Sequence, residues 1–384
     1  MDRPLAGLKV VELARILAGP WCGQILADLG AEVIKVEAPG GDETRRWGPP
    51  FIDNPDGSRD AAYFHATNRG KQSVVLDFTT EQGRADTLRL IADADIVIEN
   101  FKVGGLAKYG LDYASLSATN PALIYCSITG FGQDGPYAPR AGYDFVIQGM
   151  SGIMDLTGDP AGAPQKIGVA FADIATGLYA AIAIQAALIQ RAKTGLGQQI
   201  DMALLDVMTG MLANQALNYL VSGTAPHRIG NAHPNIAPYE AFPTRDGWFI
   251  LAVGSDDQFR RFCAVVGLDA LSQDAAFASN ALRVANRIEL SAAIAAATQH
   301  FDRDDLLLRL AAAVVPAGPI NSVDQALADP QLQHRAIACT MTRAEDAATI
   351  PGVRIPIRAS AMDLTPGAPS PLLDSAAHLR SPTD

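Results

Sequence analysis

The sequence predicts an α/β protein: a Rossmann-like, doubly wound parallel sheet as the large domain, with a smaller α+β domain. Three observations point there. Short β-branched runs alternate with amphipathic stretches through the first third of the chain, the pattern of parallel strands joined by helical crossovers. A Gly-, Pro- and Asn-rich tract at 222–247 then separates this region from a second run of strand and helices. With 384 residues and 48% hydrophobic composition, the chain is long enough for more than one core.

Each element follows from local pattern. "LKVVEL" (8–13) reads as a strand, and "WCGQILADLG" (21–30) as a helix stopped by Gly30. "AEVIKVE" (31–37) and "QSVVLDF" (72–78) are further strands, and "EQGRADTLRLIADA" (81–94) spaces its apolar residues as a helix. "DIVIENF" (95–101) and "LIYCSITGF" (123–131) complete the strands of the first third. The chain then reads as helix from Asp173 to about Gln190, and 197–221 as a strand running into a long helix. The 222–247 tract is expected to be loop, "WFILAVG" (248–254) a strand, and the stretch to Asp329 helical, with "GVRIPIR" (352–358) strand-like. Ligands of such sheets sit beyond the carboxyl ends of the strands. The informative stretches are therefore the strand exits "ARILAGP", "EAPGGDETRRWGPP", "ENFKVGG" and "TGFGQDGP".

Composition excludes several function classes. The net charge of −11 argues against general nucleic-acid binding. No leader is apparent. The longest apolar run, Leu178–Ile189, is short for a membrane span and is broken by Gln185. Cys22, Cys126, Cys263 and Cys339 lie far apart, the usage of reduced thiols in a cytoplasmic protein, and no metal site is expected. The first strand is not followed by G-x-G-x-x-G, because Pro20 and Trp21 stand where backbone must approach a pyrophosphate. No phosphate-binding Walker loop or nucleophile elbow is present either.

One charge stands out. "GVAFADIATGLYAAIAIQAAL" (168–188) contains a single charged residue, Asp173. It reads either as a helix N-cap or as a nucleophile whose carboxylate the helix-start N–H groups keep ionised in a dry pocket. The small Ala175 and Gly177 would let a substrate come close.

The stretches "LAGPWCGQILADLGAEVIKVE", "NRGKQSVVLDF", "IVIENFKVGGLAKYGL", "LIYCSITGFGQDGPYAPRAGYD", "GVAFADIATGLYAA" and "RAKTGLGQQIDMALLD" together resemble the class III CoA-transferase family. This is the CaiB/BaiF-like group that includes formyl-CoA:oxalate and dicarboxylate CoA-transferases. The resemblance runs from residue 5 to about 360. It implies two ring-like subunits interlocked as a homodimer, with a discontinuous large CoA-binding domain (1–200 and 330–384), a linker helix (201–224) and a small domain (225–329). It also implies that Asp173 is the catalytic nucleophile, that acyl-CoA thioesters and carboxylic acids are the substrates, and that no tightly bound cofactor is needed.

By the same resemblance, Ile16, Leu17, Ala18, Lys71, Asn100, Phe101, Lys108, Tyr109 and Arg140 contact CoA. Lys71, Lys108 and Arg140 read singly as solvated surface charge, but together suit an anionic ligand. Asn100 reads equally as a turn cap, and Phe101 as core. Arg46, with Arg45, is a candidate for the remote carboxylate of a dicarboxylic acid, and Trp47 and Tyr143 for walls of the substrate pocket.

Departures from the family pattern bear on substrate. Leu17 stands where oxalate-transferring members carry Gln, and Ala38 where they carry a basic residue. The racemases of the family carry a His base where this chain has Tyr143. A phenol, with an ordinary pKa of about 10, is a poor base near neutrality. The expected function is CoA transfer from a dicarboxylyl-CoA such as succinyl-CoA, through aspartyl anhydride and aspartyl-CoA thioester intermediates. An acyl-CoA racemase and a non-catalytic acyl-CoA-binding protein remain the alternatives. His233, in "NAHPNIAPYEAF" (231–242), reads as structural, and the end "PSPLLDSAAHLRSPTD" departs from the family's usual terminal segment.

Overall fold

The computed structural model describes residues 3–344 and 346–381. The other residues of the predicted large domain, 1–2, 345 and 382–384, lie outside the described residues. The main sheet takes strands β1 (Lys9–Glu12) and β2 (Glu32–Glu37). A separate antiparallel hairpin, β3 (Phe51–Asp53) and β4 (Arg59–Ala61), follows. The main sheet resumes with β5 (Lys71–Val75), β6 (Ile96–Glu99), β7 (Ile124–Thr129) and β8 (Gln198–Ala203). All six strands are parallel, in the order β5-β2-β1-β6-β7-β8. Strand order therefore reverses between β1 and β6, where a doubly wound sheet opens a crevice at its carboxyl end.

The strands form because both faces are apolar. Val10, Ile96, Ile98 and Ile124 face a core shared with helices 18–28 and 171–194. Val11, Ile34, Val97 and Tyr125 face a second core under helix 81–92. Gly177 governs how closely the first pair of helices approach. A Cβ there would stand 2.6 Å from the Ala18 carbonyl oxygen and 3.0 Å from Trp21 Cβ. Ala175 and Gly177 thus serve helix packing, and Ala175 is buried. Neither opens a path for substrate. Gly177→Val is expected to destabilise by about 1–3 kcal/mol through overpacking, read from the urea midpoint.

Helix 171–194 ends at Gly195, which adopts a left-handed φ of 73°. It is longer than its apolar run suggests, because Gln190 and Arg191 continue it. By length and composition alone it meets the requirement for a bilayer crossing. In this fold one face of it, including Ala172, Ala180, Ala181 and Ile184, lies in the first core.

Below the carboxyl end of the sheet lies a buried ion cluster. Glu12 on β1 accepts from Lys35 Nζ at 3.1 Å and from Lys71 Nζ at 2.8 Å. Lys35 also pairs with Asp42 at 2.9 Å and donates to the Ala14 carbonyl. Burial pushes the Lys71 ammonium down to about 8, against the pull of Glu12. The neighbouring Arg45 forks onto Glu37 and reaches Asp60 at 2.9 Å.

The chain divides into two units. The first takes the chain up to Ile153, Lys166–Gly223 and Pro330 onward; the second takes Met154–Gln165 and Thr224–Asp329. Of the expected linker helix 201–224, residues 201–223 fall in the first unit. They complete β8 and form helices 204–210 and 213–222, broken where Ala213 takes a φ of 46°. The 222–247 tract is not all loop: β9 (Tyr239–Thr244) pairs antiparallel with β10 (Gly247–Ala252), and β11 (Ala317–Pro319) adds to β10. Phe249, Leu251, Phe259 and Phe262 build that unit's core. His233 accepts the Asn235 N–H at 3.1 Å and packs on Tyr239 there. In the first unit, β12 (Ala338–Thr342) and β13 (Thr349–Val353) form a hairpin, so the strand-like signal at 352–358 is displaced toward lower numbers. The following segment returns to β5, with Asp374 accepting the Val75 N–H and Ala376 donating to the Ser73 carbonyl.

Candidate active site

A cleft of about 230 Å³ opens at the carboxyl end of the sheet, at the β1/β6 reversal. It gathers Ile16, Leu17 and Ala18 from the exit of β1, and Asn100 and Phe101 from the exit of β6. Arg140 and Tyr143 come from the loop after β7, and Asp173 from the helix start. Sequence reasoning did not single out Arg15, Glu43, Lys102 and Asp144, which line the same cleft.

The β1 exit is held in an uncommon shape. Ile16 has a φ of 71°, a left-handed value that a β-branched residue takes only when its surroundings impose it. Asn100 grips the preceding residue twice: its Oδ1 accepts the Arg15 N–H at 2.9 Å, and its Nδ2 donates to the Arg15 carbonyl at 2.7 Å. The Ile16 N–H donates to Asp42 at 3.2 Å. Asp42 stays ionised, near 2, because Lys35 and the Thr44 N–H outweigh its burial. Asn100 thus fixes a turn, and Phe101 is half-buried with the Arg15 guanidinium 5.0 Å above its ring.

Asp173 is not the N-cap. Its helix begins at Phe171 after Ala170, with no side-chain cap bond of its own. Asp144 takes that place from outside the helix: its Oδ1 accepts the Ala172 N–H at 2.7 Å and the Asp173 N–H at 3.4 Å. Gln148, one turn on, donates to Asp144 at 2.7 Å and accepts the Ile167 N–H. The expectation that helix-start N–H groups keep Asp173 ionised is thereby corrected. Burial and the Asp144 charge instead push its carboxyl up to about 7. The spacing of Asp144 and Gln148, four residues apart on one helix face, is the signal that could have exposed this arrangement.

The remaining predicted residues fall elsewhere. Lys71 starts its strand and is sealed beneath the sheet end by Glu12, the Pro20 carbonyl and Asn68, so it cannot meet a phosphate. Lys108 lies 4.7 Å over the Tyr109 ring, and Tyr109 packs edge-on to Phe78; neither lines the cleft. Arg46 donates to the Gly40 carbonyl outside the cleft, and Arg45 is spent on Glu37 and Asp60. Trp47 packs edge-on to Tyr63 at 5.4 Å, a phenol whose pKa is raised by burial and by Asp173. Tyr143 is largely exposed at the cleft rim. Behind it, Gly142 and Gly130 cross so closely that a Cβ on either would stand 2.4 Å from the other's Cα.

The cleft at the switch point thus brings together a strained β1 exit and a carboxyl pushed up to about 7. A sequence profile of CoA-transferase family III matches residues 5–376. The chain belongs to CoA-transferase family III.

Its relatives within the family are close. It is 58% identical to a succinate–glutarate CoA-transferase of Agrobacterium fabrum, over 96% of this chain and 93% of that one. It is 40% identical to the human succinyl-CoA:glutarate CoA-transferase, over 97% of this chain and 84% of the relative. A crystal structure of a CAIB/BAIF family protein from Brucella suis superposes with a TM-score of 0.88 at 61% identity, covering 98% of each chain.

The Asp173 environment of this family III CoA-transferase gives a pH prediction. If the carboxylate form reacts, kcat/KM rises with pH through about 7 and lies about 100-fold below its plateau at a pH two lower. Asp144→Asn keeps an oxygen for the Ala172 N–H but removes the charge. The acid limb should then move to lower pH, though not to the ordinary aspartate value, because burial remains. An unmoved limb would show that Asp144 does not act on Asp173.

Proposed function

We propose that this CoA-transferase moves CoA from a dicarboxylyl-CoA, succinyl-CoA foremost, to a second carboxylic acid of the glutarate class, with Asp173 as nucleophile. The observation that carries this reading is the Asp173 carboxyl in the cleft: no cap bond of its own occupies it, and it is poorly solvated enough to react. The names of the relatives supply the acid class.

In this scheme Asp173 attacks the donor thioester carbon, the C–S bond breaks, and CoA thiolate leaves behind a mixed anhydride. The thiolate attacks the aspartyl carbonyl, expels the donor acid as carboxylate and forms an aspartyl-CoA thioester. The acceptor carboxylate attacks that carbonyl, releases the thiolate and forms a second anhydride. The thiolate then takes the acceptor acyl group and frees Asp173. No proton is gained or lost. Oxyanions formed along the way need fixed donors. The Ala18 and Gly19 N–H groups that open helix 18–28 at the cleft wall are suited to that role, since Pro20 has no N–H and Trp21 donates to the Leu17 carbonyl.

The test is a matrix of acyl-CoA donors against carboxylic acids, followed by hydroxylamine trapping during turnover. A hydroxamate at Asp173 is expected; a label elsewhere, or none, would remove the nucleophile. One observation favours a second reading. A carboxyl near 7 also suits proton abstraction, so α-carbon deuterium exchange without an acceptor acid would favour a racemase.

Helix 171–194 exposes Leu178, Tyr179, Ile182 and Ile189, and helix 213–222 exposes Leu217, Leu220 and Val221. A second copy of the chain covering these faces is part of the proposal, checked by sedimentation equilibrium. The four cysteines are unpaired, which suits a reducing, cytoplasmic setting.

A further inference from the structure

The transfer reading leaves open which group holds the far carboxylate of a dicarboxylic acid. The residues expected to do so, Arg45 and Arg46, are committed elsewhere. Three cations line the cleft with Asp173: Arg15, Lys102 and Arg140. Arg140 is laid against two rings, 4.4 Å from the Tyr137 centroid and 5.2 Å from that of Phe131. Lys102 is an exposed ammonium on a turn with Gly104 and Gly105, a point charge without a fork.

Arg15 differs in how it is fixed and in what faces it. Both main-chain groups of the residue are pinned by Asn100, and the next residue is locked in its left-handed shape. Three residues on, the Ala18 carbonyl lies against Gly177, one helical turn from Asp173. The base of the side chain is thus set by the same rigid turn that abuts the nucleophile's helix. Its head is half-exposed, lies over the single Phe101 ring at 5.0 Å and faces one carboxylate, Glu43, at 3.8 Å. That separation is beyond hydrogen-bond length, and a half-exposed pair of this kind stabilises little. The guanidinium therefore has its paired donors available beside an internal carboxylate that is easily displaced.

We infer that Arg15 is the specificity-determining residue for dicarboxylic acids: its guanidinium leaves Glu43 and takes the acid's remote carboxylate while the other carboxylate faces Asp173. The inference rests on the transfer reading for its substrate class, and on the cleft geometry for the residue.

The experiment compares glutarate with valerate, its monocarboxylic counterpart of equal chain length, in wild type, Arg15→Gln, Arg15→Lys and Glu43→Gln. In a two-stage transfer, kcat/KM for the acceptor reports the second stage alone, so the ratio between the two acids cancels effects on the donor. Arg15→Gln should lower the glutarate-to-valerate ratio roughly 10²-fold, as a site loses selectivity when its charged partner is removed. Arg15→Lys should keep part of the ratio. Glu43→Gln should lower the KM for glutarate several-fold, a gain that a damaged fold does not give. Equal losses for both acids in Arg15→Gln, or a raised glutarate KM in Glu43→Gln, would overturn the assignment. A readout independent of turnover separates the two levels. Glutarate should raise the melting temperature of wild type and not of Arg15→Gln. An equal rise in both overturns the role of Arg15. Wild type that binds glutarate but transfers CoA to neither acid overturns the reaction and leaves the binding role standing.

Discussion

Asp173→Asn is expected to abolish CoA transfer and at the same time to make the protein more stable above neutral pH. Loss of a nucleophile commonly lowers kcat by on the order of 10⁴-fold or more. The stability gain follows from linkage. The folded protein holds the Asp173 proton up to about 7, whereas the unfolded chain releases it near 3.8. Between these values the native state binds more protons, so wild type loses stability as pH rises through the window. A tenfold difference in proton affinity between folded and unfolded chain is worth roughly 1.4 kcal/mol, which places the loss at several kcal/mol above pH 7. Asparagine has no such proton. Urea midpoints of wild type and variant should therefore diverge from pH 4 to 8 and coincide below. A variant no more stable than wild type at pH 8 would show that the carboxylate is not strained in its site. Functional sites commonly carry such a penalty.

Glu12→Ala is expected to cost about 3–5 kcal/mol, the usual consequence of removing one member of a buried ion set. Two ammonium groups, those of Lys35 and Lys71, would lose their shared carboxylate inside the protein. Lys71 is the weaker holder of its proton, already pushed down to about 8 by burial. Its folded value lies below the unfolded 10.5, so the native state sheds that proton first and is favoured as pH rises between the two. Without Glu12 the Lys71 value falls further, so the deficit of Glu12→Ala should shrink as pH rises toward 8 and level off above it. Adding Lys71→Met to Glu12→Gln should recover part of the loss, since apolar groups of similar volume replace buried charge well. A Glu12→Ala midpoint within experimental error of wild type would refute the cluster's structural role.

The sheet could be read from sequence because its strands are apolar on both faces, and parallel order sends their exits to one crevice. Ile16, Asn100, Arg140 and Asp173 meet there for that reason. Which charges point outward was not legible. Lys71 finds its carboxylate 59 positions away, on the strand beyond its immediate neighbour, and Arg45 finds Glu37 across a turn of 8. A lysine or arginine beside a glycine-rich loop looks the same in sequence whether it meets water or a buried partner. The short hairpins β3–β4 and β12–β13 escaped for another cause. Strands of three to five residues with mixed polarity carry little periodic signal. Asp144 escaped because its partner is a helix start 28 residues on.

The segment that returns to β5 imposes an order of events on biosynthesis. Ser73 and Val75 bond with residues 374–376, about 300 positions later in translation. Until those residues leave the ribosome, the outer rim of the sheet has free amide and carbonyl groups, the kind of border that recruits other chains. The nascent large unit is thus completed only by its distal segment, and the interval before that segment emerges is when a cellular chaperone has most to protect.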